Sequence, residues 1–200
     1  MRLLTKIAAT ALALGLAGCG GLLGGGKPPA TLFSITPEAA EPSSLVRSAA
    51  PGQAVTIGTP TVARELGTVR VPVQVSPTNV EYVAKMQLVD TPANLFANLV
   101  AETVRRTTNR IVLDPGQATL DPGLLVNGTL QRFGYDGATG QVIVTYDAAL
   151  STAGGKRVET RRFTATAPAN GTAATVGAAL NRAANQVALD VARWIGSSGR

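Results

Sequence analysis

The run Gln141-Val142-Ile143-Val144-Thr145-Tyr146-Asp147-Ala148-Ala149-Leu150 decides the fold. Val142, Val144, Tyr146, Ala148 and Leu150 fall on one face of an extended chain, so the run reads as a strand buried on one side. Two more strand candidates flank it, Leu124–Phe133 and Lys156–Ala165. The connections, Gly134–Gly140 and Ser151–Gly155, are rich in turn residues. Three strands joined in this way predict an antiparallel meander.

After the meander, the pattern changes period. Over Thr172–Ile195, the residues Val176, Leu180, Ala184, Val187, Val191 and Trp194 or Ile195 form a stripe at helical spacing. Alanine fills much of the rest, which permits close approach to a sheet, and Gly196 is expected to end the helix. A second helix lies upstream. Thr91 or Asp90 serves as N-cap, Pro92 takes the first helical position, and Leu95, Phe96, Leu99, Val100 and Val104 recur at helical spacing. Arg105 and Arg106 fall in its last turn, where cations suit the negative end of the dipole.

The first half of the chain is less regular. Thr31–Thr36 is a short β-prone run, and Glu38–Gly52 reads as a loop rich in Pro, Ser and Ala. Ala54–Ile57 and Val69–Val75 are strand candidates. In the second, Val69, Val71, Val73 and Val75 face one way, and Pro72 is expected to keep it at a sheet edge. Val80–Val83 and Met86–Val89 read as a further extended pair, and Arg110–Leu113 as a strand. Asp114-Pro115-Gly116 and Asp121-Pro122-Gly123 are turn signals rather than calcium ligands, because no third carboxylate stands between them. The expected fold class is α/β (α+β): a mixed, largely antiparallel sheet packed by two main helices in a two-layer sandwich.

Composition excludes much chemistry. Histidine is absent and Cys19 is the sole cysteine, so no His-based triad, His metal site, CxxC motif or intrachain disulfide can form. Hydrophobic residues make up 45 % and charged ones 15 %, which suits a packed core rather than disorder. The net charge is +6. A modest basic excess fits an anionic lipid surface or an acidic protein partner. Aromatics make up 4 %, without basic interleaving, which argues against nucleic acid. An enzyme built on paired carboxylates, as in glycan cleavage, finds no convincing Asp/Glu pair in the sequence.

Residues 1–18 read as an export signal: Arg2 and Lys6, then an apolar stretch over Ile7–Leu16 too short to span a bilayer. Leu16-Ala17-Gly18-Cys19 resembles the lipobox of bacterial lipoproteins in every position. That resemblance implies a diacylglyceryl group on the Cys19 sulfur, cleavage before Cys19, and an acyl group (palmitate, for instance) on the new amino end, with no other cofactor. Gly20 in place of Asp implies an outer-membrane address on the periplasmic face, rather than the inner membrane. Residues 19–30 form the lipidated cysteine and a glycine-rich tether, and residues 31–200 the remaining domain. Gly21 and Gly26-Lys27 match the spacing of a phosphate-binding loop. Pro28 stands where Ser or Thr would meet magnesium and no strand precedes, so a tether is the better reading.

From Val71 onward the sequence resembles the ABC-type transport auxiliary lipoprotein family. The pieces that carry the resemblance are Asn79-Val80-Glu81-Tyr82-Val83, Leu88-Val89-Asp90-Thr91-Pro92, Leu95-Phe96 with Leu99, Leu130-Gln131-Arg132-Phe133, Glu159-Thr160-Arg161-Arg162-Phe163, and Ala184-Asn185-Gln186-Val187 with Asp190-Val191-Ala192 and Trp194. A tryptophan often seen before Asp90 is here Met86 or Leu88. The resemblance implies a non-catalytic adaptor beside an ABC permease and ATPase and a mammalian-cell-entry (MCE) substrate-binding protein, moving lipid between membranes. A lipid-carrying periplasmic protein and an outer-membrane structural lipoprotein are the alternatives, and a homo-oligomer stays open. Tyr82, Arg105, Arg106, Arg161 and Arg162 are the candidate partner or headgroup contacts. Each also has a plain structural reading: packing for Tyr82, dipole compensation for Arg105, Arg106 and Arg110, and pairing with Glu159 or Asp147 for one of Arg161 and Arg162.

Overall fold

The computed structural model describes residues 31–42, 48, 50, 52–121, 123–152 and 157–198. The export signal, Cys19, the tether and Pro122 lie outside the described residues. The elements are β1 (Val55–Ile57), β2 (Thr61–Val62), β3 (Pro72–Ser76), β4 (Asn79–Tyr82), α1 (Pro92–Thr107), β5 (Val112–Leu113), β6 (Leu124–Asp136), β7 (Gln141–Ser151), β8 (Val158–Pro168) and α2 (Ala173–Ser197).

The expected meander is β6–β7–β8. β7 pairs with β8 without interruption from Gln141↔Pro168 to Ser151↔Val158. Its pairing with β6 shifts register between Leu130 and Arg132. The other side of β6 is met in parallel by three short strands in turn, at Val55↔Leu124, Thr61↔Thr129 and Val73↔Tyr135. β5 lies beyond β1, and β4 lies antiparallel beyond β3. The sheet is therefore mixed and mostly antiparallel, with β6 at its centre.

Both helices cover one face of this sheet. The Phe96 ring of α1 meets Tyr146 edge-on at 5.0 Å, and Trp194 of α2 meets Phe163 at 5.6 Å. Tyr146 and Phe163 are direct partners across β7 and β8, so the two contacts share a side. The predicted strand stripe is buried throughout, as are Leu95, Phe96, Leu99, Val100 and Val104 of α1. In α2, Ala179, Ala183, Ala184 and Ala188 are buried between the larger residues of its stripe. Small side chains there let the helix axis approach the sheet. Truncating one of the larger ones, Leu180→Ala, costs about 2–5 kcal/mol. The uncovered face is polar and rich in threonine, with Thr129, Thr145, Thr164 and Asp147 on it.

Several expectations need correction. β3 is not an edge strand, because β4 and β6 flank it. Pro72 is tolerated there as the first residue of the strand. Gly134 makes room for it: a Cβ at Gly134 would stand 2.5 Å from the Pro72 carbonyl oxygen and 2.9 Å from its ring. Val75 is exposed, whereas Val71 of the same alternating set is buried. Gly196 does not end α2. The helix continues to Ser197, and the Ser198 N–H closes on the Trp194 carbonyl. Thr31–Thr36 and Met86–Val89 contribute one bridge, Phe33 with Leu88, rather than two strands. Met86 and Leu88 are both buried, so the departure from the family's tryptophan falls in the core. Asp121 is more than a turn residue. Its carboxylate accepts the backbone N–H groups of Gly52 and Ala54 and so fixes the entry to β1.

Candidate interaction surface

At the end of α1, residues three and four apart share a face, so Glu102 meets both Arg105 and Arg106 at 2.7 Å. Burial pushes the Glu102 carboxyl up, but the hydrogen bonds from Arg106 and Arg105 together hold it below its ordinary value. Arg106 also donates to the Ala39 carbonyl at 2.9 Å and pairs with Glu41. It works as a strut that fastens residues 39–41 to the helix. Its neighbours there, Glu38, Thr103, Arg182, Asn185 and Leu189, line a cavity of about 340 Å³. The Thr103 hydroxyl is buried without a hydrogen-bond partner. Arg110, grouped with these cations by sequence, serves α2 instead. Its guanidinium donates to the carbonyls of Ile195, Ser198 and Gln53.

Asn181 and Asn185, four apart on α2, hold the segment leading to this cavity. Asn181 Oδ1 accepts the Thr36 N–H at 2.8 Å. Asn185 Oδ1 accepts the Glu38 N–H at 2.8 Å while its amide donates to the Thr36 carbonyl at 2.9 Å. Sequence reading missed this pair. The available signal was two amides at helical spacing on a face made largely of Ala, with Ala178, Ala184, Ala188 and Ala192.

Arg161 and Arg162 point to opposite sides of β8. Arg162 lies on the open face and forms a two-pronged pair with Asp147, both contacts 2.6 Å. The pair lowers the Asp147 carboxyl below its ordinary value and raises the Arg162 guanidinium. Arg161 lies on the helix side, 5.3 Å from the Phe163 ring centre. Phe163 is buried against Trp194, whose indole N–H donates to Glu159 at 3.4 Å. Beside them Arg193 pairs with Asp190 at 3.1 Å. Arg193 is a member of this cluster that sequence reading did not single out.

Tyr82 stands elsewhere. Its hydroxyl donates to the Glu65 carbonyl at 3.4 Å and the Arg70 guanidinium stacks 4.0 Å above its ring. Its strand β4 lies four strand spacings from β8 along β4–β3–β6–β7–β8, about 19 Å at the usual separation. The candidate contacts thus fall in three places. Arg161 and Arg162, with Arg193 and Trp194, are the group that lines one groove. Among the described residues no His, Cys, Asp and Glu cluster suited to a metal occurs.

The family model that matches this sequence is the ABC-type transport auxiliary lipoprotein component, over residues 33–192. The chain belongs to this family. The match begins two residues into the described domain and spans α1, the whole meander and α2 up to Ala192. The fold agrees. A Xanthomonas campestris protein of the DUF330 family shares 18 % identity at a TM-score of 0.67, covering 82 % of this auxiliary lipoprotein and 94 % of that chain. A second solved structure, of an uncharacterised protein, shares 14 % identity at a TM-score of 0.62, covering 82 % and 99 %. A PelC dodecamer from Paraburkholderia phytofirmans is more distant, 13 % identical with a TM-score of 0.38 over 70 % and 92 %. No curated protein matches the chain significantly. As a transport auxiliary lipoprotein the chain is membrane-anchored, and among the described residues no helix is long and apolar enough to cross a membrane.

Proposed function

We propose that this lipoprotein is a non-catalytic adaptor of an MCE-type ABC system that moves lipid between membranes. It is held by acyl chains on Cys19 at the periplasmic face of the outer membrane. The observation that carries this reading is the family match across 33–192, downstream of Leu16-Ala17-Gly18-Cys19. A second feature supports it. Asp147, Asp190, Glu102 and Glu159 are all engaged by arginines, which leaves them poorly suited to proton transfer. Two or more acyl chains hold firmly, at about 0.8 kcal/mol per buried CH₂.

The test joins two measurements. Metabolic labelling should place a fatty acid on the wild-type chain and not on Cys19→Ser, which should leave the membrane fraction. Crosslinking in intact cells should then capture an MCE protein with the wild type. An unlabelled wild-type chain removes the anchor, and a labelled chain that captures no MCE or permease component removes the adaptor role.

A further inference from the structure

The perimeter of the sheet is uneven. β5 offers two residues at its edge and β4 offers four, whereas β8 offers eleven, about 36 Å of strand. Among the described residues β8 pairs with β7 alone. In an antiparallel ladder every second residue turns both its backbone donor and its acceptor away from its partner. Long edges of this kind are normally shortened, bulged or covered, because they recruit other strands. β8 has no bulge against β7, and its proline stands at the far end, Pro168.

Beside this edge runs an open groove of about 470 Å³ between β8 and the last turns of α2. Phe163 and Trp194 form its apolar floor, Arg161, Arg193 and Asp190 stand around it, and Arg162 touches it only from a strand position whose side chain turns to the open face. Arg193 has one carboxylate partner, Asp190, yet its side chain stays 65 % exposed. Arg161 has no carboxylate partner among the described residues. The edge is therefore rich in hydrogen-bond donors and carries surplus positive charge on the side facing the groove.

We propose that the free edge of β8 docks an extended, acidic segment of a partner protein. The segment adds as one more strand and sets alternate carboxylates against Arg161 and Arg193. Strand addition satisfies the backbone row, and side chains of period two reach the groove on one side only. A second copy of this chain fits less well. Antiparallel pairing centred on Phe163 would place the two Arg162 residues diagonally on one face, and like charges so placed are destabilising. An anionic membrane would satisfy the guanidinium groups but leave the backbone row unpaired. This inference stands apart from the transport reading, since it rests on the edge and its charges alone.

The test uses the full-length lipoprotein in neutral detergent micelles. Its probe is a short capped peptide alternating Glu and Val, with the Lys–Val peptide as control. Trp194, the sole tryptophan of the chain, lines the groove and reports binding by fluorescence. The expected result is saturable binding of the acidic peptide, with slowed amide exchange over 158–168. Arg161→Glu and Arg193→Glu should each weaken binding by about tenfold while β6 and β7 keep their native exchange. The proposal is overturned by equal binding of the Lys–Val peptide, or by no saturable binding of the acidic one. It also fails if binding leaves the β8 amides exchanging as before, if β8 crosslinks chiefly to its own copy, or if phosphatidylglycerol vesicles alone engage the arginines.

Discussion

Asp147 and Arg162 face each other directly across β7 and β8 on the open side of the sheet, joined by two parallel contacts of 2.6 Å. Planar pairing of this kind is the geometry that a guanidinium and a carboxylate share. Gln131, displaced by the irregularity in β6, adds a third donor to the same carboxylate at 3.1 Å. The pair thus ties three strands together, although solvent screens its charges.

Stability should therefore depend on pH through Asp147. Its pKa is lowered by the Arg162 hydrogen bonds, so the contribution is complete above about pH 4 and is lost as pH falls through the lowered value. Asp147→Asn should be less stable than wild type at neutral pH. The two urea midpoints should converge in acid, where the wild-type carboxyl is protonated. A difference that stays constant down to about pH 2 contradicts this role.

Gly128 faces Tyr146 and Asp147 where a side chain has no room. A Cβ there would stand 2.2 Å from the Asp147 carbonyl oxygen and 2.7 Å from the Tyr146 ring. Gly128→Ala should cost about 1–3 kcal/mol by forcing β6 and β7 apart. Burial pushes the Tyr146 hydroxyl up to about 12. Because the neutral phenol is favoured in the fold, its contribution is complete below about pH 10 and lost as pH rises toward that raised value. Ultraviolet titration should show the late phenolic step in wild type, absent in Tyr146→Phe and shifted downward in Gly128→Ala. An unshifted step in Gly128→Ala would mean that the ring keeps its burial.

Asn185→Ala should loosen the segment that crosses the helix pair. It removes the partners of the Glu38 N–H and the Thr36 carbonyl, and because both residues are exposed, water takes up the freed groups and each lost bond costs about 0.5–1.5 kcal/mol. Amide exchange at Glu38 should accelerate far more than at β7. Equal protection of Glu38 in the variant would show that Arg106 and Asn181 hold the segment without Asn185.

The parts of the fold legible in sequence are those with a local period. Val142 to Leu150 alternate, and Val176 to Val191 recur by threes and fours, so both faces could be read without knowing their partners. The parallel pairings of β1, β2 and β3 with β6 were not legible. They join residues more than sixty apart, such as Val73 and Tyr135, and nothing local marks them. Pro72 was misread because its tolerance depends on Gly134, a residue of another strand. The candidate cations divide in the same way. Pairing of Arg105 and Arg106 with Glu102 follows from helical spacing, whereas the meeting of Arg161 with Arg193 and Trp194 depends on how α2 lies against β8.

Arg110 gives the sharpest separation of charge from shape. It reaches the C-terminal carbonyls of α2 at Ile195 and Ser198, where the dipole is negative and last-turn acceptors lack helical partners. A third bond goes to Gln53 just before β1, so one guanidinium ties the helix end to the sheet. Burial lowers the Arg110 pKa, but an arginine stays charged at any pH where the protein is handled. The effect of replacing it should therefore not vary with pH near neutrality. Arg110→Lys keeps the charge and loses the fork that spans three carbonyls. It should cost about 1–2 kcal/mol in urea unfolding and speed amide exchange over 194–198. Arg110→Met, which also removes the charge facing the dipole, should cost more. If lysine restores full stability, charge alone caps the helix and the three-point geometry contributes nothing.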